Sequence, residues 1–350
     1  MSCKCETLDD LFCCKDELAL FFYEQGVMQK AKNSIHTLGY VCEIENDCLR
    51  IKLNNAQSDL DAICKNVAFA EAEMKGIMAL LRNSKEPLSF RDMRSVKPLF
   101  QLATLAASSE MVEIIKNKSF TSYFQPIIDL KQGDIYGYEA LLRGVKDDGS
   151  IVYPMPILEA ARNGDLLFYL DRAARETALK TAAVKRIDKK LFINFLPTAI
   201  YNPENCLQDT VRWAKQLEFD PKNIVFEVVE TENIQDTKHL KSILDFYKSH
   251  GYMVALDDVG SGYSSLNMLN ELRPNIIKID REIITDIHIN SFKQSIFTAL
   301  VKIAYDNQII VLAEGVETQN EANYVKENGA HLAQGYYWAK PNAEPIRAFS

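Results

Sequence analysis

Residues 253–280 read MVALDDVGSGYSSLNMLNELRPNIIKID. Two apolar runs in this stretch, Met253–Val259 and Ile276–Asp280, have the length of buried strands. Between them, Gly260–Leu266 supplies two glycines for a turn and hydroxyls placed to cap a following helix. It reads either as an ordinary strand-to-helix loop or as a moving loop tied to function. Strand, loop, helix and strand together make the unit of a parallel α/β fold. The pattern extends in both directions. Tyr123–Leu130, Ile135–Leu142, Leu191–Leu196 and Ile224–Glu230 precede it, and Ile309–Glu314 and His331–Trp338 follow. Amphipathic stretches such as Asp165–Val184, His239–His250, Ser291–Tyr305 and Glu317–Asn328 fill the gaps. Eight strands in about 230 residues fit a TIM-like (β/α)8 barrel better than a doubly wound sheet. The first two strands are separated only by Lys131-Gln-Gly-Asp134. So short a loop predicts a hairpin, and therefore one antiparallel strand in the barrel.

Buried parallel strands are normally continuous apolar runs. Here they carry Glu139, Asn194, Glu227, Asp257 with Asp258, Lys278, Glu314 and Gln334, most of them at or near strand C-termini, with Glu317 close behind. A single charged residue at a strand end is ordinarily solvated or paired. Seven strands in succession ending this way point instead to an active site at the C-terminal mouth of a barrel. Several carboxylates converging there repel one another unless cations neutralise them. Oxygen ligands with one amide, and no His or Cys nearby, suit Mg²⁺ or Mn²⁺ rather than zinc. Two adjacent aspartates can serve two metals, an arrangement that hydrolyses phosphodiesters. Lys278, alone among the acids, is then a candidate to stabilise charge or orient a water.

Upstream of residue 119 the texture differs. Asp16–Gln25, Ala68–Leu81 and Val96–Lys116 show apolar residues at helical spacing, and Tyr40–Ile44 with Leu49–Leu53 flank Asn46-Asp47 as a hairpin. The expectation is a small, mainly helical N-terminal domain over 1–112, regulatory or dimer-forming, and a barrel over 113–350. Ser84–Pro98 reads as a connector. Seven of the eight cysteines precede residue 65. Cys3, Cys5, Cys13 and Cys14 could supply four thiolates to zinc, but their spacing is not that of two C-x₂-C knuckles, and free thiols are the default. The net charge of −8 argues against nonspecific nucleic-acid binding. No apolar run approaches a membrane span, and the first residues lack a signal-peptide pattern, so a cytoplasmic protein without a membrane partner is expected.

The ordered motifs resemble those of the EAL-domain family of cyclic di-GMP phosphodiesterases over roughly residues 119–345. They are Phe124-Gln125-Pro126, Glu139-Ala-Leu141 followed by Arg143, Phe226-Glu227-Val-Val-Glu230, Asp257-Asp258-Val-Gly-Ser-Gly, Ile277-Lys278-Ile-Asp280, Ala313-Glu314-Gly-Val-Glu317, and Gln334-Gly335 before Ala339-Lys-Pro341. The resemblance implies hydrolysis of cyclic di-GMP to linear pGpG with Mg²⁺ or Mn²⁺, and a homodimer. It implies Glu139, Asn194, Glu227 and Asp257 on one metal and Asp257, Asp258 and Glu314 on a second, with Lys278 at the attacking water and Glu314 beside it in the catalytic group. It further implies Gln125 and Arg143 on the substrate, Gln334 near the water or substrate, Glu230 anchoring the loop after Asp258, and Glu317 as a supporting carboxylate. Two positions depart from the family pattern: Leu196 where serine is frequent, and Val259 where an aromatic is frequent. The competing readings are a non-catalytic cyclic di-GMP receptor and a pure interaction scaffold. Retention of the ligand set favours the enzyme.

Overall fold

The computed structural model describes residues 12–45, 47–86, 92–93, 95–229, 236–260 and 265–348. The chain divides into two compact units. One comprises Lys118–Pro154 with Leu170–Ser350, and the other runs through Asn117 and takes in Met155–Tyr169.

In the N-terminal unit, β1 (Glu17–Phe21), β2 (Cys42–Glu45), β3 (Cys48–Lys52), β4 (Met78–Arg82) and β5 (Lys97–Pro98) form a sheet in the order β2-β3-β1-β4-β5. All its pairings are antiparallel. Helix Gln25–Thr37 lies between β1 and β2 in sequence, and helix Ala56–Asn66 between β3 and β4. This is a split β-α-β arrangement, with β3 inserted between β1 and β2. The expected mainly helical domain is therefore corrected to an α/β one. Asp16–Gln25 is not a helix, because β1 is buried on both faces. Leu18 and Leu20 on one face and Ala19 on the other are all under 5% exposed. A strand buried on both faces shows no alternation to separate it from a helix. Ala68–Leu81 splits into a short helix, Glu71–Gly76, and strand β4. The hairpin around Asp47 is present as β2–β3, with Asp47 itself at φ +61°.

In the second unit, β6 (Phe120–Asp129), β7 (Ile135–Val145), β9 (Lys190–Phe195), β10 (Ile224–Val228), β11 (Met253–Val259), β12 (Ile276–Ile279), β13 (Ile310–Ala313) and β14 (Leu332–Ala333) close into a ring. The short strand β8 (Ile151–Val152) hangs on β7. From β7 through β9 to β14 the pairings are parallel. Strand β6 pairs antiparallel with both β7 and β14. Helices follow the strands, as in a TIM-like barrel.

The barrel core explains where the polar residues go. Ile127, Phe192, Val225, Ala255, Ile276, Leu312 and Leu332 form one buried cluster drawn from seven strands. Along β9 to β14, each lies two residues before a polar one: Asn194, Glu227, Asp257, Lys278, Glu314 and Gln334. A two-residue step returns a side chain to the same face one layer higher. The apolar layer therefore floors the barrel, and the polar layer sits above it at the C-terminal end. On antiparallel β6 the offset reverses, and Ile127 follows Gln125 by two. On β7 the floor position below Glu139 is Gly137, where a Cβ would lie 2.6 Å from the Lys190 carbonyl oxygen.

Candidate active site

The polar layer contains two linked groups. In the first, Glu139 accepts at both oxygens, from Asn194 Nδ2 at 2.9 Å and from Gln334 Nε2 at 2.6 Å. Gln334 Nε2 also donates to Gln125 Oε1 at 3.0 Å, and Gln125 Nε2 donates to the Ala339 carbonyl at 3.1 Å. Gln125, Glu139 and Gln334 are all buried. In the second group, Lys278 Nζ lies 2.8 Å from Glu314 Oε1, 3.0 Å from Glu227 Oε1 and 3.1 Å from Asp257 Oδ1. Lys278 is 1% exposed and Glu227 fully buried. Burial alone would drive the lysine proton off, but the charges of Asp257, Glu139, Glu227 and Glu314 outweigh it and hold its pKa well above the ordinary value. For Glu227 and Glu314, burial dominates and neighbouring acids add to it, so both carboxyls titrate well above the usual range.

Consecutive strand residues point to opposite faces, so Asp257 and Asp258 could not ordinarily share a site. Here the β11–β12 register shifts between Leu256 and Val259, and Asp258 takes φ +53°. Aspartate tolerates this left-handed conformation better than most residues. The Asp258 N–H donates to Asp257 Oδ1 at 3.1 Å. The bulge brings both acids to the mouth. Oxygens of Asp257, Asp258 and Glu314 lie within 4.8 Å of one another. Partial desolvation and the Asp257 charge push the Asp258 carboxyl up to about 7.

Several buried acceptors have no donor among the described residues: Glu227 Oε2, Asn194 Oδ1 and Gln334 Oε1. Unpaired buried oxygens are costly, and a cation would satisfy them. An all-oxygen donor set of carboxylates and amides fits a hard divalent ion. A cavity of about 220 Å³ opens beside these residues, lined by Gln125, Glu139, Asp258, Glu314, Gln334 and Tyr336 among others.

The expected residues are thus largely brought together. Glu139 and Asn194 meet in one group, Glu227 and Asp257 meet around Lys278, and Asp257, Asp258 and Glu314 form the close acid triad. Arg143, four residues beyond Glu139 on β7, is 6% exposed, and its guanidinium lies 5.0 Å from the Tyr123 ring. Glu317 lines the cavity but is exposed, with Arg281 at 3.9 Å, and stands apart from the acid cluster. Glu230 and residues 261–264 lie outside the described residues, as do Cys3 and Cys5. Cys13 and Cys14 are exposed, with sulfurs 3.3 Å apart. Of the two departures, Val259 and Leu196 are both buried side chains.

Two features carry no role assigned from the sequence. Asp280 ends the Ile-Ile-Lys-Ile-Asp run, lines the cavity, hydrogen-bonds the Asp258 carboxyl and caps helix Arg281–Ile284. Asp171 and Arg175 form an ion pair at 2.8 Å with both side chains 2% exposed. The other Asp171 oxygen accepts the Leu196 N–H at 2.8 Å, two residues beyond Asn194. Their i, i+4 spacing was the available signal, but that spacing also describes solvated helix pairs.

Residues 108–341 match the family model described as EAL domain. The chain is 27% identical over 234 residues to the probable cyclic di-GMP phosphodiesterase PdeG of Escherichia coli strain K12, covering 65% of this chain and 45% of that protein. It is 28% identical over 224 residues to the blue light- and temperature-regulated antirepressor BluF of the same strain, covering 64% of this chain and 54% of that one. In each case the match spans less than two thirds of the relative's length. Among solved structures, a standalone versatile EAL protein from Vibrio cholerae O395, in its c-di-GMP bound form, is 40% identical with a TM-score of 0.60, covering 66% of this chain and 95% of that one. With the family model spanning about two thirds of the sequence, this chain belongs to the EAL domain family.

Proposed function

We propose that the barrel hydrolyses cyclic di-GMP to linear pGpG with Mg²⁺ or Mn²⁺. The observation that carries this reading is the buried Lys278 ammonium held among Glu227, Asp257 and Glu314, next to buried oxygens that lack donors. A degenerate binding module has no need of so costly an arrangement. The name of PdeG and the bound ligand of the Vibrio cholerae relative support the same substrate. Glu139, Asn194, Glu227 and Asp257 would hold one ion, and Asp257, Asp258 and Glu314 a second. When bound, the ions neutralise the acids and activate water for attack on phosphorus. Lys278, fixed by three carboxylates, orients that water and stabilises the charge that develops on the phosphoryl oxygens, beside Glu314. Gln125 and Arg143 hold the substrate, and Gln334, which donates to Glu139, lies near the water or substrate. Glu230 and Glu317 keep their proposed supporting roles. The N-terminal unit is assigned a regulatory or dimer-forming role in a cytoplasmic homodimer.

The similarity to an antirepressor favours one second reading, a cyclic di-GMP receptor without turnover. Incubating the purified chain with cyclic di-GMP and Mg²⁺, followed by chromatography, separates the two. Formation of pGpG supports the enzyme, and bound but intact substrate supports the receptor.

A further inference from the structure

Strand β8 is short, but its register is informative. Gly144 pairs with Val152 and Val145 with Ile151, so the antiparallel ladder sets Arg143 opposite Tyr153. The hairpin turn that imposes this register is closed by Gly149, at φ +81°, whose N–H donates to the Lys146 carbonyl at 2.9 Å. Opposed side chains on a ladder touch, and the Arg143 guanidinium lies 5.1 Å from the Tyr153 ring centroid. On its other flank Arg143 pairs with Thr121 of β6, and the diagonal neighbour Tyr123 brings a second ring to 5.0 Å. The cation is therefore held between two aromatic rings. Such contacts strengthen as the cation loses water, and Arg143 is 6% exposed.

The two rings differ. Tyr123 is half-buried on its strand, whereas Tyr153 is 67% exposed. A tyrosine with one face on a guanidinium and most of its surface in water leaves the second face free. Arg143 Nε is buried and has no hydrogen-bond partner among the described residues, so the guanidinium beside the rings retains an unused donor. Glu139, Leu141 and Arg143 alternate onto one face of β7, which places Arg143 roughly 13 Å along the strand from Glu139. That is the reach of a ligand extending away from the acid cluster, not of the group reacting at it.

We propose that Tyr153 is a base-stacking platform, receiving a purine base of the ligand on its free face while Arg143 holds the other. The proposal rests on the cyclic di-GMP reading above and deepens it. Any nucleobase offers a π-face, and stacking on an aromatic side chain tolerates sequence while strengthening affinity.

The test compares the full-length chain with Tyr153→Ala, Tyr153→Leu and Tyr153→Trp. Affinity for cyclic di-GMP is read as Kd by calorimetric titration with Ca²⁺ and as KM by initial rates with Mg²⁺. Tyr153→Ala is expected to weaken affinity roughly 5- to 150-fold, the range of one lost base stack. Tyr153→Leu keeps bulk over Arg143 without a π-face and should stay weak, while Tyr153→Trp should recover most of the loss. An alanine variant within twofold of wild type overturns the platform. So does recovery by leucine, which would make the ring mere packing. Wild-type binding without turnover would sink the hydrolytic reading yet leave the Tyr153 effect readable in Kd. Absence of wild-type binding overturns both.

Discussion

Lys278 Nζ stands 2.8 Å from Glu314 Oε1, a contact between neighbouring parallel strands at the height of the polar layer. The same ammonium also pairs with Glu227 and Asp257. If it orients water and stabilises charge in the transition state, its loss should fall on turnover. Lys278→Ala is expected to lower kcat on the order of 100- to 1000-fold with KM changed far less. Unaltered kcat with a raised KM would make Lys278 a binding residue.

The same substitution carries a pH signature. A carboxyl whose folded pKa is raised stabilises the folded state below its unfolded pKa, and that contribution is lost as pH rises through the folded one. Burial already raises Glu227 and Glu314 with the lysine present. Without its charge they rise further. Metal-free Lys278→Ala should therefore lose stability relative to wild type much more at pH 8 than at pH 5. Denaturant melts at the two values, in EDTA, check this. An equal deficit at both would mean that the acids are not coupled to Lys278.

Glu139 accepts from both Asn194 and Gln334. Glu139→Ala should abolish pGpG formation while the chain stays folded. It removes the acceptor of the Asn194 amide, at a cost of about 1–3 kcal/mol, while the Gln334 amide keeps Gln125 Oε1. Activity above a few per cent of wild type, with metal present, would remove Glu139 from the ligand set.

The barrel was legible because its sequence is written in layers. An apolar floor residue precedes a polar mouth residue by two on strand after strand, from Phe192 and Asn194 through Leu332 and Gln334. The N-terminal sheet was not, because β1 hides both faces and Ala68–Leu81 joins a helix to a strand within a single apolar pattern. Within the site, Asp258 reaches the mouth through a bulge that residue spacing does not encode. Glu317 and Glu314 look alike in sequence, yet one is exposed and the other faces Lys278. Asp171 and Arg175 could be found only from burial.

Asp171 joins Arg175 on its helix to the Leu196 N–H beyond β9. Arg175→Met strands a buried carboxylate and should cost about 3–5 kcal/mol. Loss of Asp171 should in addition loosen the strand end carrying Asn194 and weaken metal binding. Thermal melts with and without Mg²⁺ separate the two effects. Destabilisation without any change in metal affinity would confine Asp171 to folding.

For the proposed homodimer, the exposed apolar residues Leu266, Ile289 and Phe292 offer contact surface at the starts of helices Ser265–Leu272 and Ser291–Asp306. Light scattering of the full chain should give a dimer, and Phe292→Glu should shift it toward monomer. The same variant should lower activity severalfold if association steadies β11 and its two aspartates. A strict wild-type monomer with full activity would rule that coupling out.

Asp258, held at about 7 by partial desolvation and the Asp257 charge, is largely protonated at pH 6 in the metal-free chain. A divalent ion requires the carboxylate, so binding must expel the proton. Mg²⁺ affinity should therefore rise between pH 6 and 8. Calorimetry in buffers of different ionisation enthalpy should show proton release that is large at pH 6 and small at pH 8.5. Mn²⁺ should behave like Mg²⁺. Ca²⁺, larger and looser in coordination, should release protons as well, yet place the water poorly and inhibit hydrolysis. Proton release that is absent at pH 6, or Ca²⁺ turnover equal to that with Mg²⁺, would break the link between these acids and the ions assigned to them.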